Sequence, residues 1–173
     1  MRRKIVGVMG SGREPHEARA SALGAFLAEA GYHLLTGGGG GVMASVSQAF
    51  AETKGRAGSI IGVLPAVPEA PHSPPPGYPN PWVEIAIRTH LAARGEDGGD
   101  MLSRNHINIL SADAVIALPG GAGTLSEVKL ALAYRRPLAA HIATAADLPG
   151  LPHQVAVAPR LDDVRAFLET ALC

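Results

Sequence analysis

The strongest constraint on the fold is a unit that occurs three times along the chain. In each copy a short apolar run ends at a glycine-rich turn and a helical pattern follows. The turns lie at 10–12, 37–41 and 120–123. Apolar runs of this length are typical of buried strands in a parallel sheet. Strands that alternate with helices build a doubly wound sheet. We therefore predict an α/β, Rossmann-like domain with a mainly parallel sheet flanked by helices.

The remaining patterns place the other elements of this fold. Strands are predicted at 5–9, 32–36, 59–64, 83–87, 114–118, 138–142 and 155–157, and helices at 15–30, 42–53, 100–111, 125–134 and 162–172. Residues 66–81 hold seven prolines and are interpreted as a surface excursion that is partly polyproline-like. Residues 95–99 are expected to form a polar, mobile loop. Because the glycine turns follow strands, they should meet at one edge of the sheet, where such folds bind ligands.

Composition and charge argue against several classes of protein. The 173 residues fit a single domain, 1–173. Fifteen Lys and Arg balance fifteen Asp and Glu, and aromatic residues make up 4%, which argues against nucleic acid as a partner. Apolar stretches stay below the ~18 residues of a membrane span, and the apolar run after the basic start is too short for a signal peptide. A single cysteine, Cys173, fits a cytoplasmic location.

The turn at 37–41 consists of five consecutive glycines between a strand and a helix. Backbone N–H groups without neighbouring Cβ atoms can approach an anion, and the following helix N-terminus adds positive potential. The alternative is a loose connector, but five glycines are costly in entropy for that purpose. The Gly-Lys-Ser/Thr of a P-loop is absent at 41–43, and the turn after the first strand lacks the third glycine of a dinucleotide fingerprint. We therefore favour anion binding without a nicotinamide cofactor.

The stretch 119–127, Pro-Gly-Gly-Ala-Gly-Thr-Leu-Ser-Glu, is the most specific in the chain. One interpretation is structural: Thr124 and Glu127 have the spacing of a capping box that starts a helix. A cap alone does not need three glycines before it. Together these residues place several N–H groups, a hydroxyl and a carboxylate around one point, which suits a ribose 5′-phosphate.

This stretch resembles the signature of the LOG, or "lysine decarboxylase-like", superfamily. The turn 38–43 is similar to the Gly-Gly-Gly…Gly-Leu-Met turn of that superfamily, and 101–104, Met-Leu-Ser-Arg, is similar to its Met-x-x-Arg-Lys motif. The resemblance covers roughly residues 4–142. It implies nucleoside 5′-monophosphate phosphoribohydrolases, which cut an N-glycosidic bond, or the sister branch of molybdenum cofactor carrier proteins, which bind a phosphorylated pterin without consuming it.

The chain departs from the enzyme pattern at two positions. Asn105 stands where the enzymes carry Lys, and Ser103 stands where they often carry an acidic residue. Residues 80–89 and 104–108 resemble the carrier-type branch, whereas Pro119 and Glu127 resemble the enzymes. The sequence lies between the two, and the carrier-like branch is our first interpretation.

Carried over residue by residue, the resemblance implies a catalytic pair, Arg104 and Glu127. A carboxylate can stabilise the oxocarbenium charge of N-glycoside cleavage, whereas an arginine is a poor proton donor and suits an electrostatic or phosphate-holding role. Arg104 on an exposed helix surface is the alternative. The phosphate- or nucleotide-binding residues are expected to be Gly10, Ser11, Gly12, Gly38, Gly39, Gly40, Gly41, Met43, Pro119, Gly120, Gly121, Gly123 and Thr124.

The resemblance further implies that no cofactor is required, that molybdenum cofactor is a candidate bound ligand, and that the chain forms a homodimer or a higher homo-oligomer. The apolar side of 125–134 is expected to be core or dimer interface. Metal ligands are not indicated, because the seven histidines lack a ligand spacing. Lys4, Lys54 and Lys129 lie outside the glycine turns, which argues against pyridoxal chemistry and a true lysine decarboxylase.

Several residues keep two interpretations. Trp82 would either stack on a heterocycle or pack in the core, and core packing is more common for a single Trp. Asp100 and His106 are the weak candidates for a general acid. At the level of function, three classes stay open: a binder of a phosphorylated nucleotide or pterin, a phosphoribohydrolase, and a nucleotide sensor without catalysis.

Overall fold

Seven parallel strands form one sheet in the computed structural model, which describes residues 2–173. The order across the sheet is β4–β3–β2–β1–β5–β6–β7. The strands are β1 (Ile5–Met9), β2 (His33–Thr36), β3 (Ile60–Leu64), β4 (Ile85–Arg88), β5 (Ala114–Ala117), β6 (Leu138–Ala140) and β7 (Ala156–Val157). The α/β, Rossmann-like fold predicted from the apolar runs is confirmed.

Five helices cover the two faces of this sheet. They are α1 (Glu17–Glu29), α2 (Val42–Glu52), α3 (Asn105–Ser111), α4 (Ala122–Ala133) and α5 (Leu161–Ala171), with short 3-10 helices at Gly95–Gly99 and Ala145–Asp147. From β1 the chain adds β2, β3 and β4 in one direction, and then returns to the other side of β1 to add β5, β6 and β7. The order therefore reverses between β1 and β5, the position where open α/β sheets form a ligand crevice.

Alternate residues of the central strands point to opposite faces of the sheet and belong to two separate hydrophobic clusters. Val6 and Val8 of β1 point into a cluster that includes residues of α1, α2 and α5, whereas Met9 points into the cluster beneath α4. Strand β5 repeats this pattern, with Ile116 on the first side and Val115 on the second. A sheet buried on both faces explains why these strands are apolar without alternation.

Two predicted helices, α3 and α4, begin three or more residues away from the expected start. Helix α4 starts at Ala122, with Gly121 as its N-cap, rather than at residue 125. Thr124 and Glu127 therefore lie inside the helix, no side chain caps it, and the predicted capping box is wrong. Helix α3 starts at Asn105 rather than at residue 100, because 100–104 forms turns. Arg104 is thus the N-cap residue of α3.

The proline-rich segment 66–81 is anchored to the glycine turn after β2. The backbone N–H of Asn80 donates to the carbonyl of Gly38 at 2.7 Å, and its side-chain amide donates to the carbonyl of Gly39 at 2.9 Å. Asn80 is buried by these contacts. The segment predicted as a surface excursion is therefore fixed, at its end, against the edge of the sheet where the glycine turns meet.

Candidate ligand-binding site

Ser11 joins the three glycine turns at the carboxyl edge of the sheet. Its N–H donates to the carbonyl of Pro119 at 3.0 Å, and its carbonyl accepts from the N–H of Val42 at 2.9 Å. The turns after β1, β2 and β5 are thus held together by backbone hydrogen bonds. The expectation that they share one edge is confirmed.

A cavity of about 700 Å³ opens at this edge, above the point where the strand order reverses. A volume of this size is typical of a site for a small molecule of drug or nucleotide size. The cavity is lined by Val8, Met9, Gly10, Ser11, Gly12, Arg13, Met43, Tyr78, Arg94, Gly95, Glu96, Arg104, Asn105, Gly121, Ala122, Gly123, Thr124 and Glu127.

Arg104 is a buried cation on the wall of this cavity, with 5% of its surface exposed. Its Nη1 donates to the Oδ1 of Asn105 at 2.7 Å and lies 3.5 Å from the Oε1 of Glu127. The guanidinium packs against Gly37, and its Nε has no hydrogen-bond partner within residues 2–173. An unpaired buried donor is costly, and the Arg104 side chain lines the cavity, so its guanidinium is suited to donate hydrogen bonds to a ligand. The alternative of an exposed helix arginine is wrong.

Glu127 lies beside Arg104 and is also buried. Burial raises the pKa of its carboxyl to about 7, because the lowering by the Arg104 charge and the Asn108 amide is smaller than the cost of burying a carboxylate. The Asn108 amide itself has no hydrogen bond of normal geometry within residues 2–173. Near neutral pH the pair therefore carries between zero and one net positive charge.

The N-terminus of α4 supplies unpaired donors to the same cavity. The first hydrogen bond of its first turn is from Leu125 N–H to the carbonyl of Gly121. The N–H groups of residues 122–124 thus lack helical partners, and no side chain caps them. Gly121, Ala122, Gly123 and Thr124 all line the cavity. A helix N-terminus with free N–H groups favours an anion.

The chain matches the SLOG cluster4 family model over residues 3–154, which is most of its length. The chain belongs to the SLOG cluster4 family.

Known proteins resemble this SLOG cluster4 chain closely in sequence and structure. An uncharacterized protein of Archaeoglobus fulgidus is 33% identical over 129 residues, covering 73% of this chain and 72% of that protein. The molybdenum cofactor binding protein of the phototrophic bacterium Rippkaea orientalis is 31% identical with a TM-score of 0.77, covering 100% and 99% of the two chains. The molybdenum cofactor carrier protein of Chlamydomonas reinhardtii is 30% identical with a TM-score of 0.73, covering 99% of each. The resemblance to the LOG superfamily and its carrier-like branch is confirmed.

Not every residue expected at the site of this SLOG cluster4 chain lines the cavity. The predicted residues that do are Gly10, Ser11, Gly12, Met43, Arg104, Gly121, Gly123, Thr124 and Glu127. Gly38, Gly39, Gly40, Gly41, Pro119 and Gly120 are not among the lining residues. The glycine turn after β2 instead packs against residues 11–13 and the end of the proline-rich segment, and the Thr124 hydroxyl lies against Gly120. Most of these glycines thus contact residues that line the cavity without lining it themselves.

Nine lining residues were not expected at the site, and five of them have polar or charged side chains. Arg13 directly follows the first glycine turn, so adjacency alone would have indicated it. Arg94 and Glu96 flank Gly95 in a segment interpreted as a mobile loop, which forms a 3-10 helix packed on α4. Asn105 was noted only as a departure from the enzymes. Tyr78 reaches the site from the proline-rich segment, and nothing in the local pattern indicates that contact.

Other candidates of the sequence analysis lie outside the cavity of this SLOG cluster4 chain. Trp82 packs against the core cluster beneath α1 and α2, so its core interpretation is confirmed. His106 pairs with the Tyr134 hydroxyl and the carbonyl of Asp100, and neither His106 nor Asp100 lines the cavity. Residues 2–173 contain no group of three or more His, Cys, Asp or Glu side chains placed to hold a metal. Within the same residues no helix has the length and apolarity needed to cross a bilayer.

Proposed function

We propose that this chain binds a phosphorylated pterin, the molybdenum cofactor, and carries it without consuming it. The observation that carries the proposal is the cavity over the strand reversal, which is lined both by a buried arginine and by the N-terminus of a helix whose N–H groups are free. The Rippkaea orientalis and Chlamydomonas reinhardtii proteins support the choice of ligand. The cofactor is cargo in this proposal, so the chain needs no redox chemistry of its own.

The charge of the cavity favours an anion. Three arginines, Arg13, Arg94 and Arg104, line it together with two glutamates, Glu96 and Glu127. Because the pKa of Glu127 is raised to about 7, one of these glutamates is only partly ionised at neutral pH. The lining therefore carries a positive excess, which attracts phosphorylated ligands and speeds their entry.

The phosphate of the ligand is placed at the start of α4. There it can accept from the free N–H groups of 122–124 and from the guanidinium of Arg104, as phosphates do at helix N-termini. The volume of about 700 Å³ leaves room for a fused ring system beside the phosphate. The residues present thus fit a phosphorylated pterin.

Calorimetric titration with a phosphorylated pterin tests this proposal. Wild-type protein should bind one equivalent per chain. Arg104→Gln should weaken binding at least about tenfold, since it removes a charged donor from a buried contact. Arg94→Gln changes an exposed arginine that lines the cavity, so it should weaken binding by a smaller factor and leave the fold intact.

Arg88→Gln is the matched control, because Arg88 is exposed on the edge strand β4 and does not line the cavity. It should bind like wild type. Absence of binding by folded wild-type protein would overturn the proposal. Equal binding by the Arg94 and Arg88 variants and a folded Arg104 variant would show that the ligand does not use this cavity.

A second candidate function is hydrolysis of a nucleoside 5′-monophosphate to free base and ribose 5-phosphate. The contact of 3.5 Å between Arg104 and Glu127 inside the cavity favours it, because an ionised carboxylate could stabilise oxocarbenium charge on the ribose. We expect such activity, if present, to rise as Glu127 ionises above pH 7. Incubation with AMP and an N6-substituted AMP, followed by chromatography, tests it: free base that is lost in Glu127→Ala supports the hydrolase.

A cytoplasmic location and a homodimer or higher homo-oligomer belong to the same proposal. A carrier of this cofactor has to meet the enzymes that receive it, and a reducing compartment suits the chain's single cysteine. Exposed apolar side chains on the α3 and α4 side, including Met101 and Leu102, offer a surface for self-association.

A further inference from the structure

The proline-rich segment contributes one side chain to the cavity, and that side chain is aromatic. Tyr78 is half-buried and lines the cavity. Among the lining residues within 2–173 it is the single aromatic one. Tyr78 is the one residue of 66–81 among the lining residues, so the contribution of this segment to the cavity wall rests on Tyr78.

Two features hold Tyr78 in this place. Asn80, two residues later, ties the segment to the carbonyls of Gly38 and Gly39 by hydrogen bonds of 2.7 and 2.9 Å. The Tyr78 backbone N–H donates to the carbonyl of Pro75 at 3.1 Å. The position is therefore fixed by the backbone on both sides of Tyr78 rather than by its own side chain.

Gly39 makes room for the ring. A Cβ at Gly39 would lie 2.6 Å from the Tyr78 hydroxyl oxygen and 2.8 Å from the Met43 methyl carbon. Both side chains reach over the turn only because residue 39 has none. Tyr78 and Met43 thus form an apolar wall at the end of β2.

This wall and the start of α4 lie at different sides of the cavity. Tyr78 and Met43 are beside the turn after β2, whereas α4 follows β5, and β1 runs between these two strands. A ligand that spans the cavity therefore meets free N–H groups at one end and an aromatic ring with a thioether at the other. Such a division fits a molecule with a phosphate and a flat heterocycle.

We propose that Tyr78 is a specificity-determining residue on which the planar ring of the bound ligand stacks, so that the cavity selects ring-bearing phosphates over phosphates without a ring. This inference rests on the proposed function and assigns one wall of its site. The hydroxyl end of Tyr78 lies against Gly39, where an added Cβ would be 2.6 Å from its oxygen, so the proposal assigns the ligand contact to the face of the ring.

Two probes separate stacking from a general role in folding. One is a fluorescent phosphorylated pterin, and the other is ribose 5-phosphate, which has the phosphate but no heterocycle. Tyr78→Ala should bind the pterin roughly tenfold to a hundredfold more weakly, since stacking is worth that much in comparable sites. Its affinity for ribose 5-phosphate, measured by the same calorimetry, should stay within about twofold of wild type.

Tyr78→Phe keeps the ring and removes the hydroxyl, so it should bind both probes like wild type. Quenching of pterin fluorescence on binding should persist in Tyr78→Phe and disappear in Tyr78→Ala. Arg88→Gln, an exposed change on β4 outside the cavity, is the control and should leave both affinities unchanged.

Each possible result bears either on the stacking role of Tyr78 or on the proposed function. Equal pterin affinity in wild type and Tyr78→Ala would overturn the stacking role while leaving the proposed function intact. Weaker binding of both probes by Tyr78→Ala would show a structural role and also overturn it. Failure of wild-type protein to bind the pterin would instead remove the proposed function itself.

Discussion

At the residue scale, the site depends on two buried charges of opposite sign. Arg104 and Glu127 come from different helices and meet at 3.5 Å. Neither charge is fully satisfied by protein groups, because the Nε of Arg104 has no partner within residues 2–173 and burial raises the pKa of Glu127. Groups with perturbed titration inside a cavity are typical of functional sites.

Glu127 should make the stability of the protein depend on pH. Its pKa is about 7 in the folded chain, against an ordinary value of 4.5. Between these pH values the folded state holds a proton that the unfolded state has released, so the free energy of unfolding should fall as the pH rises, by up to about 3 kcal/mol. Urea denaturation of wild type and Glu127→Gln from pH 4 to 8 measures this.

In Glu127→Gln, the free energy of unfolding should lack the part of this decrease that is due to Glu127. Burial lowers the pKa of His141, which acts in the opposite direction because it favours folding as the pH rises. His141 is present in both proteins, so the difference between them isolates Glu127. Parallel pH profiles of wild type and Glu127→Gln would contradict the buried, protonated carboxyl.

Substitution of Gly41 tests whether the glycine turn after β2 is held in a tight conformation. Its φ is +58°, and a Cβ there would collide with the carbonyl of Ser11. Gly55 has a φ of +74° but open space around it. Gly41→Ala should therefore destabilise the protein by roughly 1–3 kcal/mol more than Gly55→Ala in urea denaturation. Equal losses would mean that the turn can move away from Ser11.

At the element scale, the glycine turns and the proline-rich segment act together. The order of strands, turns and helices could be predicted because each apolar run is bounded by glycine. The start of α4 could not be predicted, because in the sequence Ala122 and Gly123 look like part of the glycine turn. They become helical only through packing in the folded chain. Tyr78 was missed because its place depends on contacts with Gly39, far away in the chain. The burial that perturbs Glu127 also exists only in the folded chain.

Asn80 should be the residue that couples the segment to the turn. Asn80→Ala removes the donor to the Gly39 carbonyl and the acceptor for the Trp82 N–H at 3.1 Å. Because the bond to Gly39 is buried and the bond from Trp82 is partly buried, we expect a loss of about 1–3 kcal/mol. Limited proteolysis should also cut the proline-rich segment faster. His72→Ala, an exposed change in the same segment, is the control, and a similar outcome for both variants would refute the coupling.

At the scale of the whole molecule, the sheet places the turns after β1 and β5 around one cavity, and a hydrophobic core on each face stabilises the sheet. We expect the chain to associate with a second copy through an exposed apolar surface. Met101 and Leu102 are 87% and 63% exposed, and Leu110 and Tyr134 are exposed on the same α3 and α4 side. Large exposed apolar groups of this kind mark protein interfaces.

Leu102→Glu should weaken this self-association. A buried charge without a partner is costly at an interface, so the variant should shift toward monomer in size-exclusion chromatography with light scattering. Ile85→Glu, on the exposed edge strand β4, is the matched control and should keep the wild-type mass. A wild-type monomer, or a shift caused by Ile85→Glu alone, would contradict this interface.

A crystal structure of the wild-type protein grown with a phosphorylated pterin tests the proposed ligand and its position most directly. We predict the phosphate at the N–H groups of 122–124 and the Arg104 guanidinium, with the pterin ring against Tyr78. Electron density for the ligand outside this cavity, or an empty cavity in a protein that binds the pterin in solution, would contradict it.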